Sequence, residues 1–150
     1  MKKILIFFVF LFLFQMQVNA ASWVKVYDYT YIDKDSINYY VNDYGTKVFD
    51  KKVFWTKSDG PPKNFEKNEK ILNKKISYEL AKWVVNTKTN EIAVKSQAIY
   101  GEDGRTVYSN TYKDYQLQWR TILPDSKSEY WCFLIKKPKL LKKMYKMQNE

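Results

Sequence analysis

The sequence predicts a mainly antiparallel β domain of the α+β class, closed by one short helix near its C-terminus. Three observations carry this. Residues 74–85 alternate apolar and polar side chains with period two, the mark of a half-buried strand. Turn-forming residues recur at short intervals, and strands joined so tightly pair antiparallel, because a parallel pair needs a long crossover. Helical punctuation comes late, at Ser126-Lys127-Ser128-Glu129, a capping box in which Ser126 caps and Glu129 stands three residues on.

In chain order, residues 23–29 (WVKVYDY) read as a first strand and Tyr31-Ile32 as a second extended piece. Asp33-Lys34-Asp35-Ser36 supplies turn formers whose side chains bond nearby backbone N–H groups. Residues 39–41 extend again before Asn42-Asp43-Tyr44-Gly45, another turn. Residues 47–57 form a longer strand with Phe49, Val53 and Trp55 on one parity and Val48 and Phe54 on the other. Either both of its faces are partly covered or a bulge near Asp50 resets the pleat. Residues 58–73, with Gly60-Pro61-Pro62 and then a Lys/Glu/Asn-rich run, read as a surface loop.

After the strand at 74–85 and the turn at 86–90, residues 91–100 place Ile92, Val94, Ser96, Ala98 and Tyr100 on one face, with Ala93, Lys95, Gln97 and Ile99 on the other. Gly101-Glu102-Asp103-Gly104 then gives a tight hairpin, Gly104 taking positive φ at little cost. A helix over residues 127–135 brings Tyr130, Phe133 and Leu134 onto one side, with Trp131 and Ile135 flanking. So short a helix is marginal alone and has to dock on the sheet. Pro138 ends it. Residues 139–148 mix Lys139, Lys142, Lys143 and Lys146 with Leu140, Leu141, Met144, Tyr145 and Met147. This basic amphipathic tail suits an anionic membrane surface or an acidic protein groove, and equally a terminal helix covering one more patch of the domain.

The N-terminus reads as a secretory leader over residues 1–20. Lys2 and Lys3 precede an unbroken apolar run of eleven residues, and Val18 and Ala20 are the small residues of a processing site. The run is short of the roughly 20 apolar residues that span a bilayer. Residues 21–135 then form the domain and 136–150 the tail, in a protein placed in the periplasm, on the outer membrane surface or outside the cell. The whole chain has 26 basic and 16 acidic residues, a net charge of +10. Removing Lys2 and Lys3 lowers the charge by two and leaves a surface that favours anionic partners. Export sets nucleic acid aside.

The chain has no histidine and a single cysteine, Cys132. It therefore lacks imidazole for proton transfer or zinc ligation and cannot form a disulfide within itself. Cys132 sits inside the predicted helix, away from its N-terminus, and reads as a buried structural thiol. In an oxidising compartment an intermolecular disulfide, and with it a dimer, is the rival. Carboxylate pairs for acid–base work remain open among Asp28, Asp33, Asp35, Asp50, Glu79, Glu91, Glu102 and Asp103, without fixed distances to rank them. Asp33-x-Asp35 is a fragment of a calcium loop lacking its other ligands. No cofactor motif is present.

The order of these pieces resembles the surface-adhesin protein E family of exported Gram-negative proteins. The likeness rests on Trp23-Val24-Lys25-Val26, then Tyr31-Ile32-Asp33-Lys34-Asp35-Ser36-Ile37, the strand Val53-Phe54-Trp55-Thr56-Lys57, the hairpin around Gly104, and Trp119-Arg120-Thr121-Ile122-Leu123-Pro124 leading into the helix with Cys132 and Phe133. The resemblance implies a twisted antiparallel sheet of about six strands with a C-terminal helix on one face, held there by a disulfide. It makes Trp23, Ile32, Asp33, Trp55, Gly104, Trp119, Pro124, Cys132 and Phe133 fold determinants. The cysteine expected opposite Cys132 is replaced within Val85-Asn86-Thr87, so packing through Tyr130, Phe133 and Leu134 has to hold the helix alone.

By the same resemblance the expected function is non-enzymatic attachment, a virulence-type adhesion to host surface or matrix proteins or to a polyanionic surface ligand. Two other classes stay open. One is a periplasmic, envelope-associated protein whose Lys139, Lys142, Lys143 and Lys146 touch anionic lipid, and the other is a small carboxylate-dependent hydrolase.

Overall fold

The computed structural model of the chain describes residues 21–59 and 74–150. The expected leader at 1–20 lies outside them, as does the expected loop from residue 60 to 73. Ser58 and Asp59 belong instead to a strand.

Among the described residues eight strands form one antiparallel sheet: β1 Trp23–Tyr27, β2 Thr30–Asp33, β3 Asn38–Val41, β4 Lys47–Asp59, β5 Ile76–Asn86, β6 Glu91–Gly101, β7 Thr106–Thr111 and β8 Arg120–Thr121. Six of them make a continuous path, β1-β2-β4-β5-β6-β7, while short β3 joins β4 and short β8 joins β6. The expected class holds, with eight strands in place of about six. The two extra strands borrow the free ends of β4 and β6, which outrun their neighbours. Two helices follow, α1 Lys127–Lys136 and α2 Pro138–Asn149.

Local chemistry explains the corners. Asp33 Oδ1 accepts from Asp35 N–H, and Ser36 N–H bonds the Asp33 carbonyl, so the turn after β2 forms as its residues predict. Ser36 Oγ also accepts the Trp55 N–H at 2.9 Å, tying this turn to β4. Gly104 has φ +73°, and Gly101 N–H bonds the Arg105 carbonyl. At Gly101 a Cβ would come within 2.9 Å of Asp103 Oδ1 and 3.3 Å of the Lys75 carbonyl, so the hairpin is built around a missing side chain.

Pairing of β3 with β4 jumps from Tyr39↔Lys52 to Tyr40↔Val48, the irregularity expected near Asp50. A second bulge corrects the reading of β6. Lys82 pairs Ser96 while Trp83 pairs Val94, so Lys95 is an extra residue and parity switches there. Ile92 and Val94 therefore share a face with Gln97 and Ile99, not with Ser96 and Ala98.

Both helices lie on one face, where Val24, Ile32, Phe54, Val85, Ile92, Trp131, Cys132, Leu134, Ile135 and Leu141 form the main core. This too corrects the sequence reading, because the docked side of α1 is Trp131, Cys132, Leu134 and Ile135, whereas Tyr130 and Phe133 face solvent. A stripe through 130, 133 and 134 continues to Lys137, whose charge would be buried. A stripe through 131, 134 and 135 runs on to Leu141 of α2 and seats Trp131 against Trp83 and Phe54, with ring centroids 5.4 and 6.4 Å away. Fully burying each of Leu134, Ile135 and Leu141 contributes about 1.5–3 kcal/mol. Phe133 is thus not a packing residue of the core.

The capping box is displaced by one residue. Ser126 Oγ accepts from Glu129 N–H at 3.2 Å, but the Glu129 carboxylate takes the Asp125 N–H at 2.8 Å. Pro138 ends α1 and also opens α2, where its missing N–H costs nothing at the first helical position. Part of the tail's amphipathic stripe is turned inward: Leu141 is fully buried and Met144 and Tyr145 pack on the core, while Leu140 and Met147 stay exposed. Near its end Gln148 Oε1 accepts the Lys25 N–H at 3.0 Å and Gln148 Nε2 donates to the Lys25 carbonyl at 2.9 Å. One side-chain amide thereby makes the two bonds a neighbouring strand would make on edge strand β1.

Candidate functional site

The helix phase that buries Trp131 and Leu134 has a consequence on the other side of α1. Tyr130 and Phe133 stand 39% and 42% exposed, stacked with an interplanar angle of 12° and centroids 6.4 Å apart. They line a groove of about 890 Å³ between α1 and the end of β1, with Val26, Tyr27, Asn90 and Cys132 also in its wall. Asn90, at φ +57°, turns the β5–β6 connection, and its Nδ2 donates to the Ile122 carbonyl at 3.3 Å. Lys127 Nζ lies 4.7 Å from the Tyr27 ring and Lys137 Nζ 4.3 Å from the Phe133 ring. Each ring offers an apolar face with a cation beside it, and such contacts strengthen as a partner expels water. Asp125 and Glu129 stand on the same rim, so the groove is mixed in charge.

On the sheet face opposite the helices, lysines again alternate with rings. Lys57 Nζ is 5.9 Å from the Tyr31 ring and 5.1 Å from Tyr78, which stacks on Tyr100 at 4.6 Å. Lys82 Nζ sits 5.9 Å from half-buried Trp55. Lys57 also pairs Asp59 at 2.9 Å, which offsets part of its charge.

A third cluster is ionic. Lys95, released from the ladder by its bulge, donates from Nζ to Asp43 Oδ1 and Asp114 Oδ1, both at 2.8 Å. The two acids also accept each other's backbone N–H groups, at 2.7 and 2.8 Å, and the Tyr40 hydroxyl donates to Asp114. Partial burial works against charge on Asp114, but the Lys95 and Tyr40 hydrogen bonds outweigh it and bring its pKa to about 2. Asp43 is lowered by the Lys95 hydrogen bond and the Asp114 N–H. Burial and the Asp114 hydrogen bond push Tyr40 up to about 12. Burial opposes the Lys95 charge, yet the two carboxylates win and raise its pKa. The knot ties the β3–β4 turn and the 3-10 turn Asp114–Gln116 to β6. Beside it, Tyr40, Val53 and Val84 form a small core with Trp119 and Val48 packed on it.

Of the acids weighed for catalysis, Glu79 has its pKa raised, by burial, with the Gln97 amide at 2.7 Å opposing the shift. Asp35 is held down by its hydrogen bond from Lys34 at 2.6 Å. Among the described residues no group of three His, Cys, Asp or Glu side chains is placed to hold a metal.

The residues singled out in the sequence scatter. Ile32 and Cys132 meet in the main core, Trp119 closes the small core, and Trp55 belongs to the opposite sheet face. Asp33 Oδ1 accepts the Ser22 N–H, Trp23 is half-buried, and Pro124 is exposed. Burial pushes the Cys132 thiol up, and Val85 stands in the same core, so an apolar contact fills the region where the resemblance implies a second cysteine. At 3% exposure the thiol offers little surface to a second chain. Lys139, Lys142, Lys143 and Lys146 are exposed on the outer side of α2. The knot at Lys95 has no local signature in the sequence, since its acids lie 52 and 19 residues away.

No family profile matches this sequence, and no curated protein matches it. Among solved structures the chain is similar to protein E from non-typeable Haemophilus influenzae, at 12% identity and a TM-score of 0.49, covering 88% of this chain and 92% of that one. Two further structures of Haemophilus influenzae protein E show 13% and 12% identity with TM-scores of 0.48 and 0.46. They cover 77% and 80% of this chain and 87% and 89% of theirs.

Proposed function

We propose that this chain is a non-enzymatic, exported binding module that engages a host surface or matrix protein through the groove between β1 and α1. The observation that carries this reading is the stacked, half-exposed pair Tyr130–Phe133 facing Tyr27, with Lys127 and Lys137 beside the rings. Aromatic anchors at the centre of a patch with cations at its rim are what protein interfaces use to concentrate binding energy. Nothing in the core explains why two large rings on a docked helix face water, since α1 is already held by Trp131, Leu134 and Ile135. The basic surface draws acidic partners and hastens encounter. Among the described residues no helix is long and apolar enough to cross a membrane.

The test is saturable binding of the purified protein to a panel of extracellular-matrix proteins at physiological salt. Replacing both Tyr130→Ser and Phe133→Ser is expected to weaken binding at least about tenfold, since a central aromatic is worth about 2 kcal/mol or more, with the circular dichroism spectrum intact. Absence of saturable binding, or equal binding by the double variant, overturns the proposal.

A further inference from the structure

We propose that the β3–β4 hairpin is a contact point for an anionic bilayer surface. A two-stranded arm at a sheet edge ordinarily buries one side and shows polar residues on the other. Here the inner side is complete: Tyr40, Val48 and Val53 belong to the small core, and the Lys95 knot fixes the turn through Asp43. The outer side is nevertheless apolar. Phe49 is 69% exposed, Val41 52% and Tyr39 42%. Tyr39 and Phe49 meet edge to face at 5.6 Å, and Lys47 lies 4.4 Å from the Tyr39 ring and 5.4 Å from the Phe49 ring, with Lys52 at 5.4 Å from Tyr39. Residues 47–52 read Lys-Val-Phe-Asp-Lys-Lys, three cations against one acid, and the tip carboxylate of Asp43 is already bound to Lys95.

Aromatic rings that carry lysines at their margin suit the headgroup layer of a bilayer, where the rings enter the interface and the lysines meet anionic phosphates. Charge selects the occupant, because a neutral bilayer would leave Lys47 and Lys52 without counter-charge. The tail helix is the weaker contact, since Leu141, Met144 and Tyr145 of its stripe are spent on the core and only Leu140 and Met147, with no aromatic ring, stay exposed beside its lysines. This inference does not depend on the groove.

The experiment places an environment-sensitive fluorophore on the hairpin of the intact chain by Phe49→Cys, with Cys132 buried and out of reach of the label. Vesicles of phosphatidylcholine containing one part in three phosphatidylglycerol are expected to shift the emission to the blue, and pure phosphatidylcholine to leave it unchanged. Adding Lys47→Gln and Lys52→Gln should weaken the response roughly thirtyfold, the loss of about 1 kcal/mol per lysine near a charged surface. Replacing Lys139, Lys142, Lys143 and Lys146 by Gln should leave it within about twofold. No shift at position 49, an equal shift with neutral vesicles, indifference to the hairpin lysines, or loss with the tail variant overturns the proposal. A shift produced by polyglutamate alone, or by raising protein concentration without vesicles, points to an acidic protein or a second copy and also overturns it.

Discussion

The two faces of this sheet are closed by different forces. On the helix side, Trp131, Leu134, Ile135 and Leu141 lock onto Phe54, Val85 and Ile32 mainly by shape and apolar burial. On the other side, β3 and the 3-10 turn are held over a core of three buried residues by Lys95, Asp43, Asp114 and Tyr40. A large apolar core can lose a hydrogen bond and survive, whereas a small one leaning on an ion knot becomes sensitive to pH. The helix side should therefore respond to truncation of side chains and the hairpin side to protons.

The largest expected effect breaks the first closure. Leu134→Ala should cost about 2–5 kcal/mol of unfolding free energy, the range for a fully buried leucine, measured by urea denaturation. A loss below 1 kcal/mol would mean that α1 is not a structural lid. Next in size is the acid response of the hairpin. Asp43 and Asp114 have folded pKa values below the ordinary carboxylate value of about 3.9, so their contribution is present above that value and lost as pH falls through about 2. Tyr40 and Lys95 are shifted upward. Their contribution is complete below about pH 10 and lost as pH rises through about 12 and beyond. The knot's contribution should thus be level from about pH 5 to 10, and Lys95→Met should flatten the acid limb of the curve; an unchanged limb would place its origin elsewhere.

Smaller still is the clasp on β1. Gln148→Ala removes two hydrogen bonds and should cost about 1 kcal/mol, with faster exchange of the Lys25 amide while the β5 amides stay protected. Unaltered exchange at Lys25 would show that α2 covers the edge without Gln148. Cys132 should react with a thiol reagent only as fast as the chain unfolds, because the thiol is buried and its pKa is raised. Rapid labelling in the folded state would mean that α1 opens.

Much of this was legible in local sequence. Alternation gave β5, Asp33 through Ser36 gave their turn, and Gly101 through Gly104 gave the hairpin, because each depends on residues near in the chain. What escaped depends on distant ones. The parity of β6 reverses at Lys95, and an extra residue in a strand has no local signature when its neighbours are small. Two stripes compete on α1, and the choice is made by Phe54 and Trp83 across the sheet and Leu141 beyond Pro138. The candidate groove was hidden for the same reason: Tyr130 and Phe133 read as core until the phase of the helix is known. The lysine–aromatic surfaces were visible only as composition, with their placement set by register.

Native-state hydrogen exchange at pH 7 and pH 2 compares the two closures in one molecule. At pH 2 the amides of β3 and of the 3-10 turn at Asp114 should lose protection while those of β5 and α1 keep theirs. Uniform loss across the sheet, or loss beginning in α1, would contradict a hairpin held by its ion knot.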